Sequence, residues 1–254
     1  GASKLNSARG EPAGEPVGEL PAIPGAWIDE PFDLGRVVIS LRRPADPDAF
    51  LDEPEVLAAN HRDDYMPYWC HVWPACYETA RALVNHSWSP ATRVLEIGAG
   101  LALPGLAALA IGLDVTISDY DPDALQLVRF NARRQGCETR LTTLLLDWRQ
   151  PQNLQYDLIV GCEVIYERRN HPLVLDVLDR MLAPGGEAWI SDPGRHTAHL
   201  FLEDCRARGY AVRTEVLARL ERQDSPPGQT NLYRLSRVSP PTNSESGTEV
   251  AALE

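Results

Sequence analysis

VLEIGAGLALPG, at residues 94–105, combines a short apolar strand, a glycine-rich turn and the first turn of a helix. Gly98 and Gly100 lack a Cβ, so the backbone at these positions turns sharply and approaches a ligand closely. The helix that follows offers N–H groups that have no partner within the helix. This order of parts predicts the first βα unit of an α/β sheet, with a ligand site at the turn.

The turn itself discriminates between ligands. A dinucleotide fingerprint of the form GxGxxG requires a third glycine where the helix packs on the strand. That position is Leu103 in this chain. The turn therefore favours a ligand without a pyrophosphate over a nicotinamide dinucleotide. A tight βα turn that binds nothing is the remaining alternative.

From about residue 76 the chain alternates between β-type and helical runs. The predicted parallel strands are 93–97, 114–118, 139–146, 156–161 and 187–191. Two further β-type runs, 210–220 and 231–238, predict a terminal antiparallel hairpin. The pattern indicates an α/β fold: a Rossmann-like, doubly wound seven-stranded sheet, mostly parallel, with a C-terminal antiparallel hairpin and a short N-terminal extension.

The helical runs carry their own start and stop signals. Asp121 is a predicted N-cap, Pro122 suits the first helical position and Gly136 ends that helix. The next unit repeats the scheme and is predicted to end at the Pro184-Gly185-Gly186 segment.

The chain divides by composition into four segments. Residues 1–25 and 239–254 contain few large apolar side chains and are predicted to be flexible tails. Residues 26–75 form the N-terminal extension, with a strand at 36–41 and a capped helix in the region 46–60. The main domain is predicted at 76–238.

Composition narrows the partners and the compartment. A formal charge of −12 disfavours a nucleic-acid backbone as partner, because phosphate affinity depends on clustered Lys and Arg. The five cysteines include no CxxC pair, which predicts a reducing, cytoplasmic setting and no metal site. No apolar stretch approaches the ~20 residues needed to span a bilayer, so no membrane partner is expected.

Carboxylates follow the next two strands. Asp119 lies 21 residues after Gly98, where a βαβ unit places a carboxylate that accepts both hydroxyls of a ribose. A helix cap is the alternative role, but Asp121 already supplies the cap. After the third strand, Asp147 is placed to accept an adenine amine and Trp148 to cover a ring face. The carboxyl ends of parallel strands are where open sheets bind ligands.

The motifs VLEIGAG, TISDYD, LLDW and GCEVIYE, in this order, resemble those of the seven-β-strand S-adenosylmethionine-dependent methyltransferases. More narrowly, PYWCHVWPACYETARAL at 67–83 resembles the group that contains many protein-lysine methyltransferases. SDPGR at 191–195 is similar to the corresponding segment of enzymes that methylate the electron-transfer flavoprotein β subunit, and of their bacterial relatives.

The resemblance implies S-adenosylmethionine as cofactor and a role for each matching position. The implied cofactor-binding residues are Glu96, Gly98 and Gly100 at the amino-acid end, Asp119 at the ribose, Asp147 and Trp148 at the adenine, with Trp73 closing over the cofactor and Cys162 beside it. Glu163 and Tyr166 match an acidic-x-x-Tyr motif at the methyl-transfer site and are the implied catalytic residues. Ala102 departs from the pattern, since many relatives have glycine there.

The chemistry sets limits on Glu163. Methyl transfer is an in-line displacement, so alignment supplies most of the barrier reduction. A lysine with a pKa near ~10.4 requires about 4–5 kcal/mol to reach its neutral form at pH 7. Because a carboxylate stabilises the ammonium instead, Glu163 is interpreted as an orienting group. Tyr166 offers a hydroxyl or a π-face, and Arg195 either faces the substrate or only forms a turn.

Three functions remain open at this point. The first is a protein-lysine N-methyltransferase with a protein substrate as partner. The second is a small-molecule N-methyltransferase, in which Tyr68, Trp69 and Trp73 enclose the acceptor. The third is a cofactor-binding protein without catalysis, which the set of Asp119, Asp147 and Glu163 disfavours.

Overall fold

A computed structural model describes residues 20–63, 66–219 and 228–238. Its strands are β1 (Trp27–Asp33), β2 (Val38–Pro44), β3 (Arg93–Ile97), β4 (Asp114–Asp119), β5 (Leu141–Leu145), β6 (Tyr156–Cys162), β7 (Leu182–Asp192), β8 (Tyr210–Ala218) and β9 (Gln229–Arg237). Its α-helices are α1 (Pro54–Asp63), α2 (Pro74–Asn85), α3 (Leu103–Ala110), α4 (Pro122–Arg134), α5 (His171–Met181) and α6 (Thr197–Ala207).

Seven strands form one sheet in the order β5-β4-β3-β6-β7-β9-β8. The first five in that order are parallel, whereas β9 runs antiparallel to both β7 and β8. The predicted fold class is therefore confirmed. The strand order reverses between β3 and β6, and ligands of open α/β sheets bind at such a switch point.

The sheet is buried on both faces. Side chains alternate along a strand, so Val94 belongs to the core on the side of α2, α3 and α4, while Leu95 and Ile97 belong to the core on the side of α5 and α6. Because the sheet is buried on both faces, the sequences of its central strands are nearly continuous apolar runs.

The N-terminal hairpin β1–β2 is held against α4 by one buried amide. The Asn131 side chain accepts from the backbone N–H of Arg42 at 2.9 Å and donates to the carbonyl of the same residue at 3.1 Å. Asp29 adds ion pairs with Arg42 and Arg134 at the surface. Strand β1 was not predicted, because its alternation is interrupted by Pro31 and by charged residues on both faces.

Three local predictions need correction. The capped helix at 46–60 is divided into a 3₁₀ turn (Pro47–Asp52) and α1, and Asp46 makes no side-chain cap. Pro54 causes the break, because it forces Glu53 into an extended conformation with ψ of 130°. Helix α5 ends at Met181, and the Pro-Gly-Gly segment lies inside β7.

The two predicted tails lie outside the described residues except for 20–25. Most of the loop between β8 and β9 also lies outside them. Among the helices that the structure describes, none combines the length and the apolar character needed to cross a bilayer.

Gly105 lies where α3 approaches the sheet closely. Its N–H donates to Glu96 Oε2 at 2.7 Å, and a Cβ built on it would collide with that oxygen and lie 2.8 Å from the Ile117 side chain. Gly105→Ala is therefore expected to lower the free energy of unfolding by about 1–3 kcal/mol, the usual range for overpacking. Urea unfolding followed by circular dichroism measures the change.

The control for Gly105→Ala is a double-mutant cycle with Glu96→Ala. If the collision causes the loss, the double variant loses less stability than the sum of the two single variants. Alanine has a better helix propensity than glycine, which opposes the loss. An unchanged or higher stability of Gly105→Ala would therefore mean that the collision is absent and would contradict the prediction.

Candidate functional site

A cavity of about 850 Å³ opens at the carboxyl ends of β3, β4 and β6. All predicted site residues except Glu96 line it: Trp73, Gly98, Gly100, Asp119, Asp147, Trp148, Cys162, Glu163 and Tyr166. Glu96 lies under the first turn of α3, where it accepts the Gly105 N–H and is fully buried. Burial raises the pKa of Glu96 well above its ordinary value.

Both the backbone conformation and the close packing of neighbouring residues favour glycine in the turn after β3. Gly98 and Gly100 both have φ of +55°, in the left-handed region. A Cβ on Gly98 would lie 3.0 Å from the Trp148 ring, and one on Gly100 would lie 3.3 Å from the backbone of Trp69. Ala102 also adopts a left-handed φ, 58°, at a cost of about 1–2 kcal/mol for an L-residue.

Asp119 connects β4 to the glycine turn. Its Oδ2 accepts the N–H of Gly100 and its Oδ1 accepts the N–H of Asp121, each at 2.9 Å. Burial raises the pKa of Asp119 to about 6. Asp121 accepts the Asp123 N–H and caps α4, as predicted. The Asp119 carboxylate therefore stays at the cavity wall, with further lone pairs available to a ligand.

Asp147 and Trp148 follow β5 and also line the cavity. The Asp147 carboxylate forms a bidentate pair with Arg149, with the shortest contact at 2.6 Å, and this hydrogen bond lowers the pKa of Asp147. Trp148 covers Gly98. A flat ring and a carboxylate thus lie side by side, as binding of an adenine requires, but Arg149 competes for Asp147.

Glu163 sits at the centre of a charged network after β6. Its Oε1 pairs with Arg195 Nη2 at 2.8 Å, and its Oε2 accepts the N–H of Ala75 at 3.1 Å. Glu163 has a φ of 54°, and its own N–H donates to the carbonyl of Ser191 at 2.8 Å. Both carboxylate oxygens are therefore engaged, and the side chain is held in one orientation.

Arg195 bridges two buried carboxylates. Besides Glu163 it pairs with Asp192 Oδ1 at 3.2 Å, and Asp192 Oδ2 accepts the N–H groups of Gly194 and Arg195. Arg195 does not line the cavity. The turn at 191–195 thus places a guanidinium behind Glu163 and holds its carboxylate in one orientation.

Aromatic side chains form the wall nearest to Glu163. The ring of Tyr68 meets those of Trp73 and Tyr166 edge to face, with centroid distances of 6.1 Å in both cases. The sequence predicts a role for Tyr68 only in an enclosed small-molecule site. Its place beside Tyr166 depends on a contact across 98 residues, which no local pattern signals.

Cys162 lines the cavity together with a second thiol, Cys76. The hydrogen bond with Cys162, together with burial, raises the pKa of Cys76 well above its ordinary value. Thr79 and Ser191, which hydrogen-bond to each other at 2.8 Å, both contact Cys162. All five cysteines are free thiols, and the described part of the chain contains no cluster of potential metal ligands.

Residues 61–203, more than half of the chain, match the family model described as lysine methyltransferase. The chain is 33% identical to protein N-lysine methyltransferase METTL21A of Danio rerio over 96 residues, covering 35% of this chain and 44% of that protein. It is 28% identical to EEF1A lysine methyltransferase 3 of Mus musculus over 154 residues, covering 54% and 65% of the two chains. The chain thus spans less than two thirds of the length of these relatives.

Among solved structures, the chain resembles the glycopeptide N-methyltransferase MtfA in complex with S-adenosylmethionine. The TM-score is 0.53 at 12% identity, over 66% of this chain and 96% of that one. This likeness establishes the fold, and the family match confirms the resemblance seen in the motifs.

Proposed function

Because the chain belongs to the lysine methyltransferase family, we propose that it transfers a methyl group from S-adenosylmethionine to a lysine side chain of a protein. One observation carries the proposal: the donor-binding residues Gly98 and Asp119 and the oriented pair of Glu163 and Tyr166 line a single cavity at the switch point of the sheet. Donor and acceptor would meet there.

The cavity fits the proposed donor. The left-handed glycine turn leaves room that a Cβ would fill, and Asp119 presents a carboxylate beside it. Gly98 and Gly100 would hold the amino-acid end, Asp119 the ribose, and Asp147 and Trp148 the adenine. Trp73 and Cys162 would contact the donor from α2 and β6. The donor supplies an activated methyl group on a sulfonium, and the protein supplies alignment.

Glu163 and Arg195 would act on the acceptor by position. The Glu163 carboxylate is held by the Arg195 guanidinium and by the Ala75 N–H, so its orientation is fixed. Its role is to orient an incoming ammonium, which loses its proton to water as it approaches the donor. Tyr166, 38% exposed at the cavity mouth, would contact the same nitrogen.

The test is a methylation assay with tritiated S-adenosylmethionine and cell extract, using the full chain and Asp119→Ala. We expect label in protein, and N-ε-methyllysine after acid hydrolysis, only with the unsubstituted chain. Label confined to the fraction below 3 kDa would instead support the small-molecule reading. Label in methylarginine, or no transfer at all, would contradict the proposal.

Affinity for the donor is expected to depend on pH through Asp119. The pKa of Asp119 is about 6, so the carboxyl is protonated at lower pH and accepts fewer hydrogen bonds from a ribose. Affinity should fall up to about tenfold per pH unit below pH 6 and stay constant above pH 7. Titration calorimetry between pH 5.0 and 7.5 measures this, and a flat profile would contradict it.

The free protein should show the opposite trend in stability. The folded pKa of Asp119 lies above its unfolded value of 3.8, so its contribution to the free energy of unfolding is fully present below pH 4 and is lost as the pH rises through 6. Asp119→Asn serves as the control for both profiles, because it removes the titrating group.

The proposal also covers the cellular compartment and the domain boundaries. A reducing compartment such as the cytoplasm suits the five free thiols. The catalytic domain is proposed at 76–238 with its extension at 26–75, although Trp73 and the Glu163 contact to Ala75 make the end of that extension part of the site.

A further inference from the structure

Tyr68, Trp73 and Tyr166 form an aromatic corner at the mouth of the cavity. The Tyr68 ring stands at 65° to that of Trp73 and at 82° to that of Tyr166. Tyr68 is 40% exposed and Tyr166 is 38% exposed, although both line the cavity. Both tyrosine side chains are therefore accessible to a ligand that enters the cavity.

The aromatic corner is held in place by hydrogen bonds on both sides. Trp73 Nε1 donates to the carbonyl of Tyr68 at 3.2 Å. On the other side, the carbonyl of Ile165, next to Tyr166, receives hydrogen bonds from His171 Nε2 at 2.8 Å and from the Thr197 hydroxyl at 3.3 Å. The rings are therefore organised before a ligand binds, which lowers the entropic cost of binding.

The aromatic corner adjoins Glu163. Ala75, which donates its N–H to Glu163, lies two residues after Trp73, and Tyr166 lies three residues after Glu163. Glu163 itself is engaged by Arg195 and Ala75. Glu167, which also lines the cavity, is paired with Arg169. A cation that enters the corner therefore meets aromatic rings beside carboxylates that are already paired with arginines.

We propose that Tyr68, Tyr166 and Trp73 form a subsite for an alkylated ammonium group, including one that has no N–H left. The π-face of an aromatic ring attracts a cation through its quadrupole and needs no hydrogen-bond donor. A carboxylate subsite would instead lose a charge-assisted hydrogen bond with each N–H replaced. The placement of this ammonium beside the donor rests on the proposed function, but its binding is measurable without methyl transfer.

The probe is choline, compared with its uncharged isostere 3,3-dimethylbutan-1-ol. Both are titrated by ligand-observed NMR into the full chain saturated with S-adenosylhomocysteine, at constant ionic strength. We expect choline to bind about two- to fivefold more tightly than the isostere, which is the range for an exposed cation–π contact. Tyr68→Phe should retain this preference, and Tyr68→Leu and Tyr166→Leu should lose it.

The outcomes separate this inference from the proposed function. Equal affinity for the two probes in the unsubstituted chain, or an unchanged preference in folded Tyr68→Leu and Tyr166→Leu, would overturn the subsite. The comparison of the two probes in the unsubstituted chain does not depend on the folding of any variant. Failure of S-adenosylhomocysteine to bind would overturn the proposed function instead, and a choline preference in the free chain would still support the subsite.

Discussion

Arg195→Met is expected to lower the rate of methyl transfer by about 30- to 150-fold while changing the affinity for S-adenosylmethionine less than about threefold. The variant leaves Glu163 and Asp192, both buried, without their shared counter-ion. Loss of one partner of a buried pair costs about 3–5 kcal/mol. Because the Arg195 side chain is 38% exposed, water screens part of this electrostatic cost. We therefore expect the free-energy barrier to methyl transfer to rise by about 2–3 kcal/mol.

The measurement is a single-turnover assay with labelled donor, together with donor titration and a thermal melt of each variant. Arg195→Lys is the matched control: it keeps the charge but not the planar fork, so an intermediate rate is expected. In the double variant Glu163→Gln/Arg195→Met, the two losses should not add, because the residues act as one unit. A loss of donor affinity as large as the loss of rate would contradict the assignment of Arg195 to the acceptor side.

The site residues that the sequence predicts are those whose role depends on local backbone geometry within a short segment. Gly98 and Gly100 are recognisable because a strand must turn there with positive φ, and Asp119 because a βαβ unit has a nearly constant length. The sheet order follows from the same alternation, since parallel strands need helical crossovers on both faces. These are local constraints that a single sequence records.

The unpredicted parts depend on contacts between distant segments. Arg195 pairs with Glu163, which lies 32 residues earlier in the sequence. Tyr68 contacts Tyr166, which lies 98 residues later. In the sequence, DPGR is explained by its turn alone, so the partner of its arginine is not evident. For Glu96, the resemblance implies a ligand role, and the structure shows in addition that its carboxylate accepts the Gly105 N–H, a contact that the sequence does not signal.

The split of α1 from its 3₁₀ turn has a different origin. Asp46 and Pro47 are a good start for a helix, and the apolar residues that follow suit its continuation. Pro54 overrides both signals, because the residue before a proline is excluded from the helical region. This steric rule alone places the start of α1 at Pro54.

Asp119→Ala is expected to weaken the binding of S-adenosylmethionine by about 100-fold or more. The carboxylate holds the Gly100 and Asp121 N–H groups and would accept the ribose hydroxyls, and a hydrogen bond to a charged group contributes about 1.5–3 kcal/mol. Asp119→Asn keeps the size and one acceptor, so a smaller loss is expected, with the fold retained. Titration calorimetry at pH 7.5 measures both.

Asp147→Ala is the matched control for Asp119→Ala, because it removes a carboxylate from the same cavity. Asp147 is paired with Arg149 at the surface, and only part of its hydrogen-bonding capacity is free for an adenine. Its loss should weaken donor binding by no more than about fivefold, as expected for an exposed polar contact. A folded Asp119→Ala that binds the donor as well as Asp147→Ala does would remove Asp119 from the ribose position and, with it, the main support for the donor site.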